Sequence, residues 1–169
     1  SSILADKLAV NCGEYVVTEA GFGADLGFEK FMDIKVRQGG PKPSAAVVVA
    51  TIRGLKWHGG VAIKDMDEPD SDAVRRGAEN LKNAMRIVAM YGLPVVVAIN
   101  RFPGDSPEEI GVIREVAMAA GASGVEEAKG FAEGGDGMTE LAEAVVKAAN
   151  QPSDVKLLYE DDEPFFDKV

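Results

Sequence analysis

Hydrophobic residues recur along the chain with two alternating periods, which predict a repeated order of helices and strands. Apolar residues that return every three or four positions are typical of amphipathic helices. Segments with this spacing are 2–12, 26–37, 71–91, 107–120 and 138–149. Runs of β-branched or apolar residues are typical of strands. These runs are 14–20, 45–52, 93–99 and the shorter 124–128.

The order of these elements favours an α/β fold, a three-layer sandwich with a mainly parallel sheet. The continuous runs 45–52 and 93–99 predict strands that are buried on both faces. In open α/β sheets, ligands bind beyond the carboxyl ends of the strands. We therefore expect the connecting loops to gather at one edge and to hold the functional residues. These loops are 20–27, 53–60, 100–105 and 130–137.

Composition and net charge limit the kinds of molecule that this chain could bind. The 169 residues are 46% hydrophobic and 27% charged, which fits one globular domain with a sizeable core. A net charge of -10 argues against broad electrostatic binding to nucleic acid or to a membrane surface. A single cysteine, Cys12, and a single histidine, His58, exclude an internal disulfide and a zinc cluster, and no metal ligand is assigned. A reducing, cytoplasmic location is expected.

The first loop contains Gly21, Gly23 and Gly27. Glycine lets backbone N–H groups approach an anion or a flat ring closely, which is one interpretation of this loop. The alternative is a tight turn that needs a positive φ. Three loosely spaced glycines, taken alone, favour the turn.

The second loop concentrates hydrogen-bond donors, because Arg53, Lys56 and His58 fall within six residues of one another. Such donors suit an anionic substrate such as a phosphate or a carboxylate, and a solvated surface is the alternative. His58 has no candidate metal partners nearby, so a hydrogen-bonding or structural role is favoured.

The two later loops each contain an aromatic residue, Phe102 and Phe131. An aromatic face stacks a flat heterocycle at about 1–3 kcal/mol. If the two rings lie close, they would form a slot for a planar ring; otherwise each ring packs beneath its own loop. The phosphate-cradling motif G-x-x-x-x-G-K-S/T is absent from the sequence, and no nucleophile-elbow serine is present.

Four segments together resemble signatures of the formate–tetrahydrofolate ligase family. They are EAGFGADLG at 19–27, VATIRGLKWHGG at 49–60, NRFP at 100–103 and GGDG at 134–137. The matches keep the family's order and extend from Ser1 to about Tyr159, so the resemblance is highly specific.

The resemblance implies a P-loop NTPase-like fold and the ATP-dependent joining of formate to tetrahydrofolate in one-carbon metabolism. Magnesium and a stimulating monovalent cation would take part, and the complete protein would be a homo-oligomer whose partners are small molecules. Residues 1–159 would form the α/β nucleotide- and folate-binding region, and 160–169 an acidic tail that leads into a C-terminal part. Both ends look cut, and the family's phosphate-binding loop would precede Ser1. The chain alone is therefore expected to be inactive.

Site residues follow from the resemblance only where the motifs match. Phe22 would lie beside the nucleotide and formyl phosphate, and Arg53 and Lys56 are the other catalytic candidates. Phe102 and Pro103 would form one wall of a folate slot. The remaining candidates for binding are Gly21, Gly23, Asn100, Phe131, Gly134, Gly135 and Asp136.

The chain departs from the family pattern at three positions. Phe131 stands where many members have a tryptophan, which keeps a stacking ring for the opposite wall but loses the indole N–H. Glu133 stands where lysine is common and reverses a charge near the presumed folate site, and Val36 stands where cysteine is common. The alternative function is a catalytically incomplete module that binds folate or nucleotide, or a subunit of a larger assembly. A structural domain whose loops are relics is a third option.

Overall fold

The structure is a computed structural model that describes residues 2–168. Ser1 and Val169, the outer ends of the two regions predicted from sequence, lie outside the described residues. Three parallel strands form an open sheet with the order β1-β2-β3. They are β1 (Ala46–Ala50), β2 (Val95–Asn100) and β3 (Gly124–Ala128). Ala46 pairs with Val95, and Val96 pairs with Gly124. The predicted α/β fold with a parallel sheet is confirmed.

Helices connect and flank these strands. They are α1 (Ile3–Cys12), α2 (Ile52–His58), α3 (Ser71–Met90), α4 (Pro107–Ala119), α5 (Gly130–Glu133) and α6 (Thr139–Ala149). Two π-type helical segments, Ala24–Phe28 and Phe31–Val36, precede β1, and short 3-10 turns occupy Ile63–Asp65, Asp136–Met138 and Phe165–Asp167. No helix within residues 2–168 is long and apolar enough to cross a membrane.

The central strand β2 is buried on both faces because helices cover each side of it. Val95, Val97 and Ile99 face the larger core, which contains the buried sides of α3 and α4. Val96 and Ala98 face the opposite way and pack with residues of α6. The alternation follows from the two-residue period of a strand. For 93–99, the prediction of a strand buried on both faces is confirmed.

For the edge strand β1, the same prediction is wrong. Val48 packs against the larger core, whereas Val47 and Val49 on the other face are exposed, Val49 to 64%. Helix α6 packs over β2 and β3 and leaves this face of β1 uncovered. A continuous apolar run therefore does not distinguish a strand covered on both faces from an edge strand covered on one.

The predicted strand at 14–20 is also wrong, since these residues form neither strand nor helix. A strand needs a neighbouring backbone for its hydrogen bonds, and the described sheet pairs only β1, β2 and β3. Val17 is almost fully exposed. The helix predicted before this segment is confirmed as α1, although Leu4 and Leu8 on its predicted apolar side are exposed.

Helix α3 confirms the predicted stripe, with Val74 and Leu81 among its buried residues. Its N-cap is Asp70, whose carboxylate accepts a hydrogen bond from Ala73 N at 2.8 Å. Gly77 allows α2 to approach closely, because a Cβ there would lie 1.8 Å from the carbonyl oxygen of Leu55.

Candidate functional site

Three of the four predicted loops follow β1, β2 and β3 directly. Since the strands are parallel, the segments that follow them begin at the same edge of the sheet. The fourth loop, 20–27, follows no strand of the described chain. Its Ala20 and Ala24 pack instead against the larger core, and the segment Ala24–Phe28 contacts α3.

The loop after β2 holds Phe102 in a tight turn. Phe102 N donates to the Asp105 carboxylate at 2.8 Å, and Asp105 N donates to the Phe102 carbonyl oxygen at 3.2 Å. Gly104 supports the turn with a φ of 92°. Phe102 remains 43% exposed, so a substantial part of its ring is available to a ligand. Pro103 beside it is exposed, and Asn100 ends the strand half-buried.

The loop after β3 presents Phe131 from the short helix α5. Its side chain is 97% exposed, so the ring does not pack beneath its own loop. Gly134 ends α5 with a φ of 63°, a conformation that favours glycine, and Gly135 and Asp136 continue the turn. The two phenylalanines therefore stand on the loops that follow neighbouring paired strands.

The segment 53–60 is mainly helical and not the predicted loop, because Thr51 caps α2 by accepting a hydrogen bond from Gly54 N at 3.0 Å. The helix separates the three predicted donors. Arg53 is exposed and pairs with Asp67 at 3.3 Å, and His58 Nε2 lies 3.1 Å from the side-chain amide of Asn80.

Lys56 lies about one turn after Arg53 on α2, but its side chain is buried. Its Nζ lies 2.6 Å from Glu109 Oε1 and donates to the carbonyl oxygens of Met66 at 3.2 Å and Glu68 at 2.9 Å. Glu109 Oε1 also accepts from Asp70 N at 2.9 Å. This arrangement joins α2 to the first turns of α3 and α4.

Phe22 has a φ of 56°, a left-handed conformation that is uncommon for a non-glycine residue. Such a conformation costs of order 1–3 kcal/mol and occurs preferentially at functional sites. The ring is 93% exposed, so packing does not compensate for that cost within this chain.

The glycines of the same loop have different roles. Gly21 has a φ of 70°, as the turn interpretation predicts, whereas Gly23 has an ordinary negative φ. Gly27 is required by a close backbone approach, because a Cβ there would lie 1.4 Å from the carbonyl oxygen of Gly21.

Sequence reasoning missed two acidic residues that organise this region, Glu109 and Glu127. Glu109 lies in the first turn of α4, and Glu127 lies near the end of β3, where it pairs with Arg101, Arg114 and Lys129. A charged residue near the end of a half-buried strand was the signal that could have identified Glu127. For Glu109, nothing in the sequence indicated a partner as distant as Lys56.

The side chains that commonly bind metal ions are those of His, Cys, Asp and Glu. Within residues 2–168, no three side chains of His, Cys, Asp or Glu converge in a way that could hold one. The described residues therefore offer no cluster that would hold a magnesium ion without further ligands.

Comparison with known proteins identifies close sequence relatives. The family model described as "Formate--tetrahydrofolate ligase" matches residues 1–169. A protein named "Formate--tetrahydrofolate ligase" from Desulforamulus reducens is 48% identical over 177 residues, covering 100% of this chain and 31% of the relative. Proteins of the same name are 51% identical in Sphingobium sp. and 50% identical in Roseiflexus sp., over 30% and 31% of their lengths. The chain thus spans about 30% of the length of these relatives.

Proposed function

This chain belongs to the formate–tetrahydrofolate ligase family, and we propose that the complete protein joins formate to tetrahydrofolate at the expense of ATP. The product would be 10-formyltetrahydrofolate. Within that protein, this chain contributes the folate side of the active site and part of the nucleotide side. The chain spans about 30% of the length of its relatives, so this activity is assigned to the complete protein.

The observation that carries the proposal is the placement of Phe102 and Phe131. Their loops follow two parallel strands that pair directly, and adjacent strands lie about 4.8 Å apart. Both rings have surface free for a ligand, Phe131 almost completely. Two aromatic faces on neighbouring loops suit a flat, fused heterocycle such as the pterin of tetrahydrofolate, which gains about 1–3 kcal/mol for each stacked ring.

The anion side of the proposed site depends on Arg53 more than on Lys56. Arg53 pairs with Asp67, whose side chain is highly exposed, so the guanidinium could exchange this carboxylate for an incoming anion. A guanidinium matches the two oxygens of a carboxylate or phosphate, and would balance the charge of formate or formyl phosphate. Lys56 would support this role indirectly by anchoring α2. Phe22 would cover the nucleotide side.

A direct test is to assay the complete protein for ATP- and formate-dependent formation of 10-formyltetrahydrofolate. Phe102→Ala should weaken tetrahydrofolate binding by about 1–3 kcal/mol and leave ATP binding unchanged, because one stacking face is removed. Phe166→Ala is a matched control, since Phe166 is an exposed phenylalanine of the tail. Unchanged folate affinity in Phe102→Ala would contradict the proposed slot.

The 169-residue chain alone should not catalyse the reaction, because it contains no phosphate-cradling motif. Product formation by the purified chain would contradict this expectation. The alternative, a binding module without catalysis, would be supported if the complete protein bound tetrahydrofolate or nucleotide but formed no product.

A further inference from the structure

Glu127 connects the two loops that contain the exposed phenylalanines. One of its carboxylate oxygens forms a close ion pair with Arg101 Nη1 and lies 3.8 Å from Lys129 Nζ. The other oxygen lies 3.9 Å from Arg114 Nη2. Three cations from different parts of the chain therefore surround one carboxylate near the end of β3.

Two of these cations lie next to the proposed slot residues in sequence. Arg101 immediately precedes Phe102, and Lys129 precedes Phe131 by two residues. Backbone hydrogen bonds join the same segments, because Arg101 N donates to the Ala128 carbonyl oxygen at 3.1 Å. A change in the position of Glu127 would therefore affect both loops together.

Asp105 holds the other side of the Arg101 guanidinium. Its Oδ2 accepts the backbone hydrogen bond from Phe102 and lies 3.7 Å from Arg101 Nε. Arg101 Nε is buried and has no hydrogen-bond partner within residues 2–168. The guanidinium is thus held by charge between Glu127 and Asp105, so the Phe102 turn and the end of β3 are mechanically linked through Arg101.

We propose that Glu127 is a positioning residue that fixes the Phe102 loop relative to the Phe131 loop and so sets the width of the folate slot. The proposal rests on the proposed function, since the slot is assigned there. Glu127 acts through Arg101 and Lys129 and does not itself contact the substrate. Ligand sites depend on such supporting contacts, because a small displacement of a binding group weakens its interaction strongly.

The Arg101–Glu127 pair is partly exposed to water, so Glu127 can position the loops without being essential for stability. The side chains of Arg101 and Glu127 are 28% and 21% exposed. Because water reaches this pair in part, breaking it should cost less free energy of unfolding than breaking a fully buried pair. Removing the charge of Glu127 should therefore loosen the two loops without unfolding the protein.

The test uses Glu127→Gln in the complete enzyme, with steady-state kinetics for each substrate. Tetrahydrofolate KM should rise about tenfold, whereas ATP KM and the unfolding midpoint stay near the values of the unmodified protein. Glu126→Gln is the matched control, because Glu126 is the adjacent residue of β3 and pairs with Arg114 at 3.3 Å. It should leave tetrahydrofolate KM within about twofold of the original value.

A double variant tests whether Glu127 acts through the aromatic slot. If it positions Phe102, then adding Glu127→Gln to Phe102→Ala should raise tetrahydrofolate KM by much less than tenfold, since the ring to be positioned is already absent. Equal and independent increases would overturn the proposal. Glu127→Asp keeps the charge and should restore part of the loss, and it serves as the deciding variant if Glu127→Gln does not fold.

The outcomes also separate this inference from the proposed function. If Phe102→Ala weakens folate binding but Glu127→Gln does not, the positioning role is wrong and the proposed function stands. If Phe102→Ala leaves folate binding unchanged, the slot itself is wrong. If Glu127→Gln raises the KM for ATP as much as that for tetrahydrofolate, Glu127 is a general structural residue and the proposal is overturned.

Discussion

Glu109 and Glu127 both form ion pairs, but the first pair is buried in the core and the second is partly exposed. Each binds a basic side chain from another element, but the Lys56 and Glu109 side chains are only 3% and 2% exposed, whereas those of Arg101 and Glu127 are several times more exposed. Glu109 joins α2 to the first turns of α3 and α4, and Glu127 joins two loops at the edge of the sheet.

Burial decides whether an ion pair stabilises the fold or only adjusts local geometry. Breaking a buried pair leaves an uncompensated charge away from water and costs about 3–5 kcal/mol. Breaking an exposed pair typically costs about 0–1 kcal/mol, because water replaces the partner. The buried pair therefore supports the fold, and the pair at the edge is available to adjust the geometry of a site.

The largest effect is expected for Lys56→Met. This change should lower the free energy of unfolding by about 3–5 kcal/mol, because Glu109 remains buried without its cation. Urea unfolding followed by circular dichroism measures it. Arg53→Met, one turn earlier on the same helix, is the control and should cost far less, because the Arg53 side chain is exposed.

A second substitution tests whether the unpaired charge of Glu109 causes this loss of stability. Adding Glu109→Gln to Lys56→Met should recover part of the lost stability, since the buried charge is removed while the side chain still accepts from Asp70 N. A loss below about 1 kcal/mol for Lys56→Met alone would show that the buried pair is no more important than an exposed one.

An intermediate effect is expected for Tyr91→Phe. Tyr91 is buried, and its hydroxyl donates to the Asp33 carboxylate at 2.8 Å. Removing a hydrogen bond to a charged group should cost about 1.5–3 kcal/mol near neutral pH. Stability curves for the two proteins, recorded from pH 7 to pH 11, measure this difference.

The difference between the two proteins should depend on pH. Burial, and next the hydrogen bond to Asp33, raise the pKa of Tyr91 above its usual value. The unfolded chain, with a tyrosine pKa of about 10, loses this proton first, so the contribution of Tyr91 is complete below about pH 10 and falls above it. A difference that grew with rising pH would contradict this assignment.

The smallest effect is expected for Arg75→Ala. Arg75 and Glu115 join α3 and α4 through two hydrogen bonds of 3.0 and 2.7 Å, but both side chains are exposed. Solvent screening should leave the unfolding midpoint unchanged within error. A loss similar to that of Lys56→Met would break the comparison, because burial would then not separate the two kinds of pair.

The sequence predicted the fold well where local pattern and tertiary environment agree. The stripe of α3 and the run of β2 both became core, since each is covered by neighbouring elements. For two other apolar runs, the predictions from sequence were wrong. Val49 is exposed because α6 stops short of β1, and Val17 is exposed because its segment has no paired strand among the described residues.

The candidate site was predictable in part. Phe102 and Phe131 could be placed on loops that follow predicted strands, because the alternation of elements predicts a mainly parallel sheet. That these two strands are neighbours was shown by the structure. The exposure of Arg53 and the burial of Lys56 could not be predicted, because both depend on α2 forming where a loop was expected.

Local periodicity and ordered motifs in the sequence identified the family, the aromatic loop residues and most helices and strands, but not the irregular segment 14–20 or helix α2. Only the tertiary structure decided that Lys56 is a core residue, that Phe22 holds a strained left-handed conformation, and that Glu127 links two loops. Burial and long-range pairing are properties of neighbours brought together by folding, and no local pattern encodes which neighbours those are.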